Sequence, residues 1–219
     1  MIAEAASAKR IWTEAELQSL PEDGYLHEVV NGELVMSPKN DFFHGRICTR
    51  LSTALNNFVT QQKLGVVLDS STGFWMHNRN CRAPDISFVS KERLVREGFR
   101  PSTRRFFPGA PDLAVEILSP NNTRAEIDER LRDFFSSGAR VAWIINPDAE
   151  CVEVCHAPDK RRLLGESVQG LGLGIATCRG SIQAVEMGRH RTLQSDRCVF
   201  ADRQRLKAAR PRATVRRRS

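Results

Sequence analysis

The chain has 219 residues, a formal net charge of +7, 27% charged residues and 41% hydrophobic residues, a composition ordinary for a globular protein. No run of about 20 apolar residues is available to span a membrane, and residues 1–10 lack the apolar stretch of a secretory leader, so the expected compartment is the cytoplasm. The charge is uneven: residues 166–219 hold twelve Lys or Arg against four Asp or Glu, whereas residues 1–165 hold twenty-one against twenty-two. The basicity that would suggest nucleic acid therefore belongs to the tail alone.

The elements follow in order. Thr13-Glu-Ala-Glu16 has the form of a capping box and predicts a short helix over residues 13–20. Leu20 to Gly24 reads as a turn. His27 to Met36 reads as two strands folded about Asn31-Gly32, a dipeptide suited to a two-residue hairpin turn. From Gly45 to Gln62 the spacing of Ile47, Leu51, Leu55 and Phe58 predicts a helix. Val66 to Leu68, Gly73 to Met76 and Ile86 to Val89 are strand candidates. Residues 90–110 hold a helical turn from Lys91 to Glu97 and an arginine-rich loop with Arg100, Arg104 and Arg105. Leu113 to Leu118 is a strand fenced by prolines, and a helix capped by Asn121 or Asn122 then runs to a stop at Gly138. Val141 to Ile145 and Cys151 to His156 are two further strands. This order predicts a mixed α/β sheet with helices packed on it.

The six cysteines form no CxxC and no zinc-finger spacing with histidine. Cys151 and Cys155 share one face of a strand, and free thiols are the expectation for all six. The acids are more informative. Pro111-Asp-Leu-Ala-Val-Glu-Ile-Leu-Ser-Pro120 places Glu116 in the middle of an apolar strand. An unpaired buried charge costs several kcal/mol, so Glu116 calls for a cation, a metal or a partner side chain. Arg82-Ala-Pro-Asp85 places a second acid at the mouth of another apolar strand. Two carboxylates from neighbouring strands can hold one Mg²⁺, which neutralises phosphate charge and lowers the pKa of a bound water. Against this stands the common outcome that strand-end acids face water or pair with arginine.

Tyr25-Leu-His-Glu-Val-Val-Asn-Gly-Glu-Leu34, Ser37-Pro38, His44-Gly45, Ala83-Pro-Asp-Ile86, Pro111 to Pro120, Asp128-Glu-Arg-Leu131 and Gly138 before Val141-Ala-Trp143 occur in an order that resembles the Uma-two family. That family is grouped with restriction endonucleases of the PD-(D/E)XK superfamily. The resemblance covers roughly residues 11–164. It implies a restriction-endonuclease-like mixed β-sheet core flanked by helices, Mg²⁺ dependence and hydrolysis of DNA, and it leaves residues 165–219 as a basic, disordered or divergent tail. It implies Asp85 and Glu116 as metal ligands, with Glu28 and His44 facing the same site. The superfamily lysine is expected two residues after Glu116, where Leu118 stands. In the resembling family the cation comes from the next helix, at Arg130, which keeps the charge but cannot act as a base. Arg130 also has a local alternative, pairing with Glu126 one turn earlier. Phe134 stands where an aromatic hydroxyl is usual. The tail departs from the family ending, either as out-of-frame translation from near Gly165 or as a basic arm that adds salt-sensitive DNA affinity. An endonuclease, expected as a homodimer, is one reading; a catalytically impaired nuclease fold that binds DNA or dimerises is the other.

Overall fold

The computed structural model describes residues 10–100, 102–164, 173–178 and 181–186. Helix α1 (Glu14–Gln18) starts at Thr13 with both halves of the capping box formed. Strands β1 (Leu26–Val30) and β2 (Glu33–Ser37) pair antiparallel, Val30 opposite Glu33. Asn31 and Gly32 both have positive φ, 53° and 86°, the geometry that lets a two-residue turn follow the twist of its strands. Helix α2 (Phe42–Gln62) begins three residues before the expected Gly45, because Asp41 caps it by accepting the His44 N–H.

Next come β3 (Gly65–Asp69), β4 (Phe74–Trp75), β5 (Cys81–Arg82), β6 (Ile86–Ser90), α3 (Lys91–Arg96), β7 (Phe107–Pro108) and β8 (Leu113–Ile117). Helix α4 (Arg124–Ser136) follows, then β9 (Val141–Asn146), β10 (Cys151–Ala157) and β11 (Lys160–Leu164). The α4 cap is Thr123, in a second capping box with Glu126, not Asn121 or Asn122. Asn122 is occupied one turn earlier, where its side-chain oxygen accepts from the Ser119 N–H and hydroxyl.

Strands β1 to β11 form two sheets where the sequence suggested one. One runs β2-β1-β5-β4-β7; the larger runs β11-β10-β9-β8-β6-β3. The larger sheet is mixed, with β8 parallel to β9 and its other neighbours antiparallel. Its two faces follow from the period of two along a strand. Leu113, Val115 and Ile117 of β8 and Val141, Trp143 and Ile145 of β9 pack with Ile47, Leu51, Leu55 and Val59 of α2. Ala114, Ala142 and Ile144 face the other way and pack with Ile127, Leu131 and Phe134 of α4. Fully burying each such large aliphatic or aromatic side chain contributes about 1.5–3 kcal/mol. The same alternation turns Glu116 to the α4 side.

Cys81 and Cys155 are buried free thiols, Cys48 is a partly buried one, and Cys151 is buried. In the tail, β12 (Leu173–Cys178) and β13 (Ser181–Glu186) pair antiparallel. The other tail residues expected to be disordered lie outside the described ones. No helix among the described residues is long and apolar enough to cross a membrane.

Candidate active site

The five residues singled out from the sequence come from five different elements or their edges, and the fold brings them into two touching groups. Glu28 lies on β1, buried, and accepts the Ala83 N–H through Oε1 at 2.8 Å. Arg130, on the face of α4 turned toward the sheets, donates Nη1 to Glu28 Oε1 at 2.9 Å and Nη2 to Glu28 Oε2 at 2.7 Å. The same Nη1 reaches Glu116 Oε1 at 3.3 Å. Arg130 is therefore a two-pronged clasp on Glu28 with one edge on Glu116. The local alternative for it fails, because Glu126 takes the Thr123 N–H instead.

The second group pairs His44, in the first turn of α2, with Asp85, just before β6. His44 Nε2 lies 3.2 Å from Asp85 Oδ2, and Cys48 Sγ lies 3.6 Å from His44 Nδ1. The main chain joins the groups. Asp85 Oδ2 also accepts the N–H of Ile117, the neighbour of Glu116, at 2.8 Å. Ala83, which anchors Glu28, is two residues before Asp85.

Charge explains the protonation states. Burial pushes the Glu116 carboxyl up; Arg130 pulls it down; Asp85 and Glu28 push it up again, and the result is about 8. Burial works against a charged His44, yet its hydrogen bonds with Asp85 and Cys48 and the Asp85 charge prevail and push the imidazole up to about 10. Burial likewise opposes the Arg130 charge, but Glu116 and Glu28 outweigh it and hold the guanidinium above its ordinary value. The His44 and Arg130 shifts mark negative neighbours, whereas that of Glu116 comes first from burial and only then from Asp85 and Glu28.

Arg82 and Asp133 belong to the same cluster and were not picked out from the sequence. Arg82 is buried, donates Nε to Asp133 Oδ2 at 2.7 Å, and lies 3.5 Å from Glu28 and 3.6 Å from Glu129. Asn78 and Asn80 donate to the remaining Asp133 lone pairs. The available signals were an arginine three residues before Asp85, Asp133 three after Arg130 on a helix, and Cys48 four after His44 on another.

The donor set suits a divalent cation. Among the described residues, Glu28, Asp85, Glu116, Glu129 and Asp133 face only Arg82, Arg130 and His44, which leaves two negative charges in excess once Glu116 is ionised, even with the imidazole protonated. Asp85 Oδ1 and Glu116 Oε2 accept no hydrogen bond among the described residues. Each acid thus keeps one oxygen free of hydrogen bonds.

Comparison with known proteins agrees with this architecture. A family model for Uma2, described as "Putative restriction endonuclease", matches residues 14–178. The match extends beyond residue 164 and includes β12. Among solved structures, a protein from Anabaena variabilis ATCC 29413, described as "a putative nuclease belonging to DUF820", is 21% identical with a TM-score of 0.62. The alignment covers 76% of this chain and 89% of that one, a likeness of fold. No curated protein matches the chain.

Proposed function

This chain belongs to the Uma2 family, and from that premise we propose that it is a Mg²⁺-dependent endonuclease that hydrolyses phosphodiester bonds in DNA. The observation that carries the reading is the pair of partly uncommitted carboxylates, Asp85 and Glu116, inside a cluster with excess negative charge. Asp85 and Glu116 would hold the ion, which when bound neutralises phosphate charge and makes a water acidic enough to attack.

The chain's own groups divide the remaining work. Glu28, fixed by the Ala83 N–H, holds Arg130 over Glu116. Arg130 cannot take a proton from water, and both its terminal nitrogens are on carboxylates. It therefore sets the positions and charge of the two acids. His44, kept protonated beside Asp85, supplies a cation for the scissile phosphate and a proton for the leaving oxygen. Cutting both strands takes two such sites, so we place the enzyme as a homodimer acting on cytoplasmic DNA.

The engagement of Arg130 by both Glu28 and Glu116 favours one second reading, an impaired nuclease fold that binds DNA or dimerises. A plasmid-nicking assay with and without Mg²⁺ decides between them. Nicking by the parent that is lost in both Asp85→Ala and Glu116→Ala supports the enzyme. Nicking that persists in both variants overturns the site. A parent that retains DNA in a low-salt shift assay but never nicks it supports the binding module.

A further inference from the structure

We propose that His44, Cys48 and Asp85 form a second metal site, one that prefers a borderline ion such as Zn²⁺ to Mg²⁺ and shares Asp85 with the oxygen site. His44 and Cys48 are four residues apart on one face of α2, and Asp85 meets them from the mouth of β6. One ligand atom from each lies within 4.8 Å of the other two. Zn–S bonds of about 2.3 Å and Zn–N bonds of about 2.0 Å place the donors of a tetrahedral ion roughly 3.3–3.8 Å apart. The 3.2 Å contact to Asp85 is made by His44 Nε2 and the 3.6 Å contact to Cys48 by Nδ1; one ion takes only one of these nitrogens, so the ring and the Cys48 side chain must turn to close the 4.8 Å set onto it, and water completes the fourth position.

The chemistry of the donors sets the preference. Sulfur and imidazole select Zn²⁺ or Co²⁺, whereas Mg²⁺ takes an octahedron of oxygens. Cys48 is partly exposed, so an ion can reach it, while Cys81, Cys151 and Cys155 are buried. No other group of His, Cys, Asp and Glu among the described residues has comparable spacing. Ligation sends the thiol proton, and the imidazole proton where present, to solvent. A bound Zn²⁺ takes Asp85 from the oxygen site and removes the His44 cation. It then acts as a brake on cleavage, a consequence that rests on the proposed nuclease reading; the binding itself does not.

The test is titration of the reduced full chain with Co²⁺, followed by the thiolate-to-cobalt charge-transfer band in the near ultraviolet and the d–d bands in the visible. The expected result is a saturable charge-transfer band that stoichiometric Zn²⁺ abolishes and excess Mg²⁺ leaves in place. Cys48→Ser should lose the band, His44→Gln should weaken binding by at least about tenfold, and Glu116→Gln should keep both. The absence of a band in the parent, its survival in Cys48→Ser, or its displacement by Mg²⁺ overturns the proposal. Circular dichroism of each variant confirms that it is folded. These spectra do not depend on turnover, so a parent that fails to nick DNA counts against the nuclease reading and leaves this result standing.

Discussion

Two buried acids four residues apart, Asp112 and Glu116, belong to one motif and meet opposite fates. Asp112 precedes β8 and sits among donors. Its Oδ2 accepts the Ser90 N–H at 2.8 Å, and its Oδ1 faces Arg93 at 3.9 Å and Arg140 at 3.5 Å. Arg93 is itself buried and tied to the Ala110 carbonyl at 2.6 Å. Two guanidiniums face one carboxylate there, so its charge is balanced although its buried Oδ1 accepts no hydrogen bond among the described residues. Among the described residues, Glu116 has no backbone donor and shares its only contacting guanidinium with Glu28, and it feels the charges of Asp85 and Glu28. Burial of a carboxylate is common to both ends of the strand; a local deficit of positive charge is not. That deficit marks the end whose charge favours a cation.

The largest expected effect separates the two ends by activity. Asp85→Ala and Glu116→Ala should lower Mg²⁺-dependent nicking by about a thousandfold, on the order of 4 kcal/mol of barrier. Asp112→Asn, measured where it remains folded, should stay within about threefold of the parent. Comparable losses at both ends would erase the distinction.

Arg130 offers the next test, through stability. Arg130→Met leaves Glu28 buried with its clasp removed and should cost about 3 kcal/mol in urea unfolding. Adding Glu28→Gln should recover part of that cost, because the stranded charge disappears. A double variant no more stable than the single one would show that Arg130 acts through packing rather than charge.

Glu116 and His44 also predict a pH dependence for the metal-free chain. Both folded pKa values, about 8 and about 10, lie above the ordinary 4.5 and 6.5, so the folded state binds these protons more tightly than the unfolded one. The resulting stabilisation is complete below pH 4.5 and 6.5 and is lost as pH rises through about 8 and about 10. In the presence of chelator, Tm should therefore fall between pH 6 and pH 9. Glu116→Gln should flatten the part of the curve below about pH 8, and Asp112→Asn should not. Added Mg²⁺ should raise Tm more at pH 9 than at pH 6, since it competes with the Glu116 proton. A parent Tm that is level across this range contradicts the assignment of excess negative charge to this end.

The smallest effect concerns the helix that carries the cation. Thr123→Ala removes one half of the α4 capping box and should cost about 1 kcal/mol, read as a lower urea midpoint. Asn122→Ala, outside the cap, should cost less.

Local chemistry in the sequence determined much of this protein. The Thr13 box, the Asn31-Gly32 turn and the apolar spacing of α2 act over four residues or fewer, and each formed as expected. Alternation along β8 also sufficed to make Glu116 an acid in a buried strand that needs a partner. Which partner it meets was decided by tertiary structure, because Glu28 and Arg130 are 102 residues apart and no periodicity links them. The same limit hid Arg82 and Asp133, 51 residues apart, and the division of the strands into two sheets. It also hid Cys48, whose place beside Asp85 depends on how α2 lies across the mouth of β6. The α4 cap was missed for a different reason: Asn121, Asn122 and Thr123 are all competent caps, and only the turn that takes Asn122 for Ser119 leaves the role to Thr123. Sequence fixes which groups must find partners; the fold chooses the partners, because that choice depends on contacts between segments far apart in the chain.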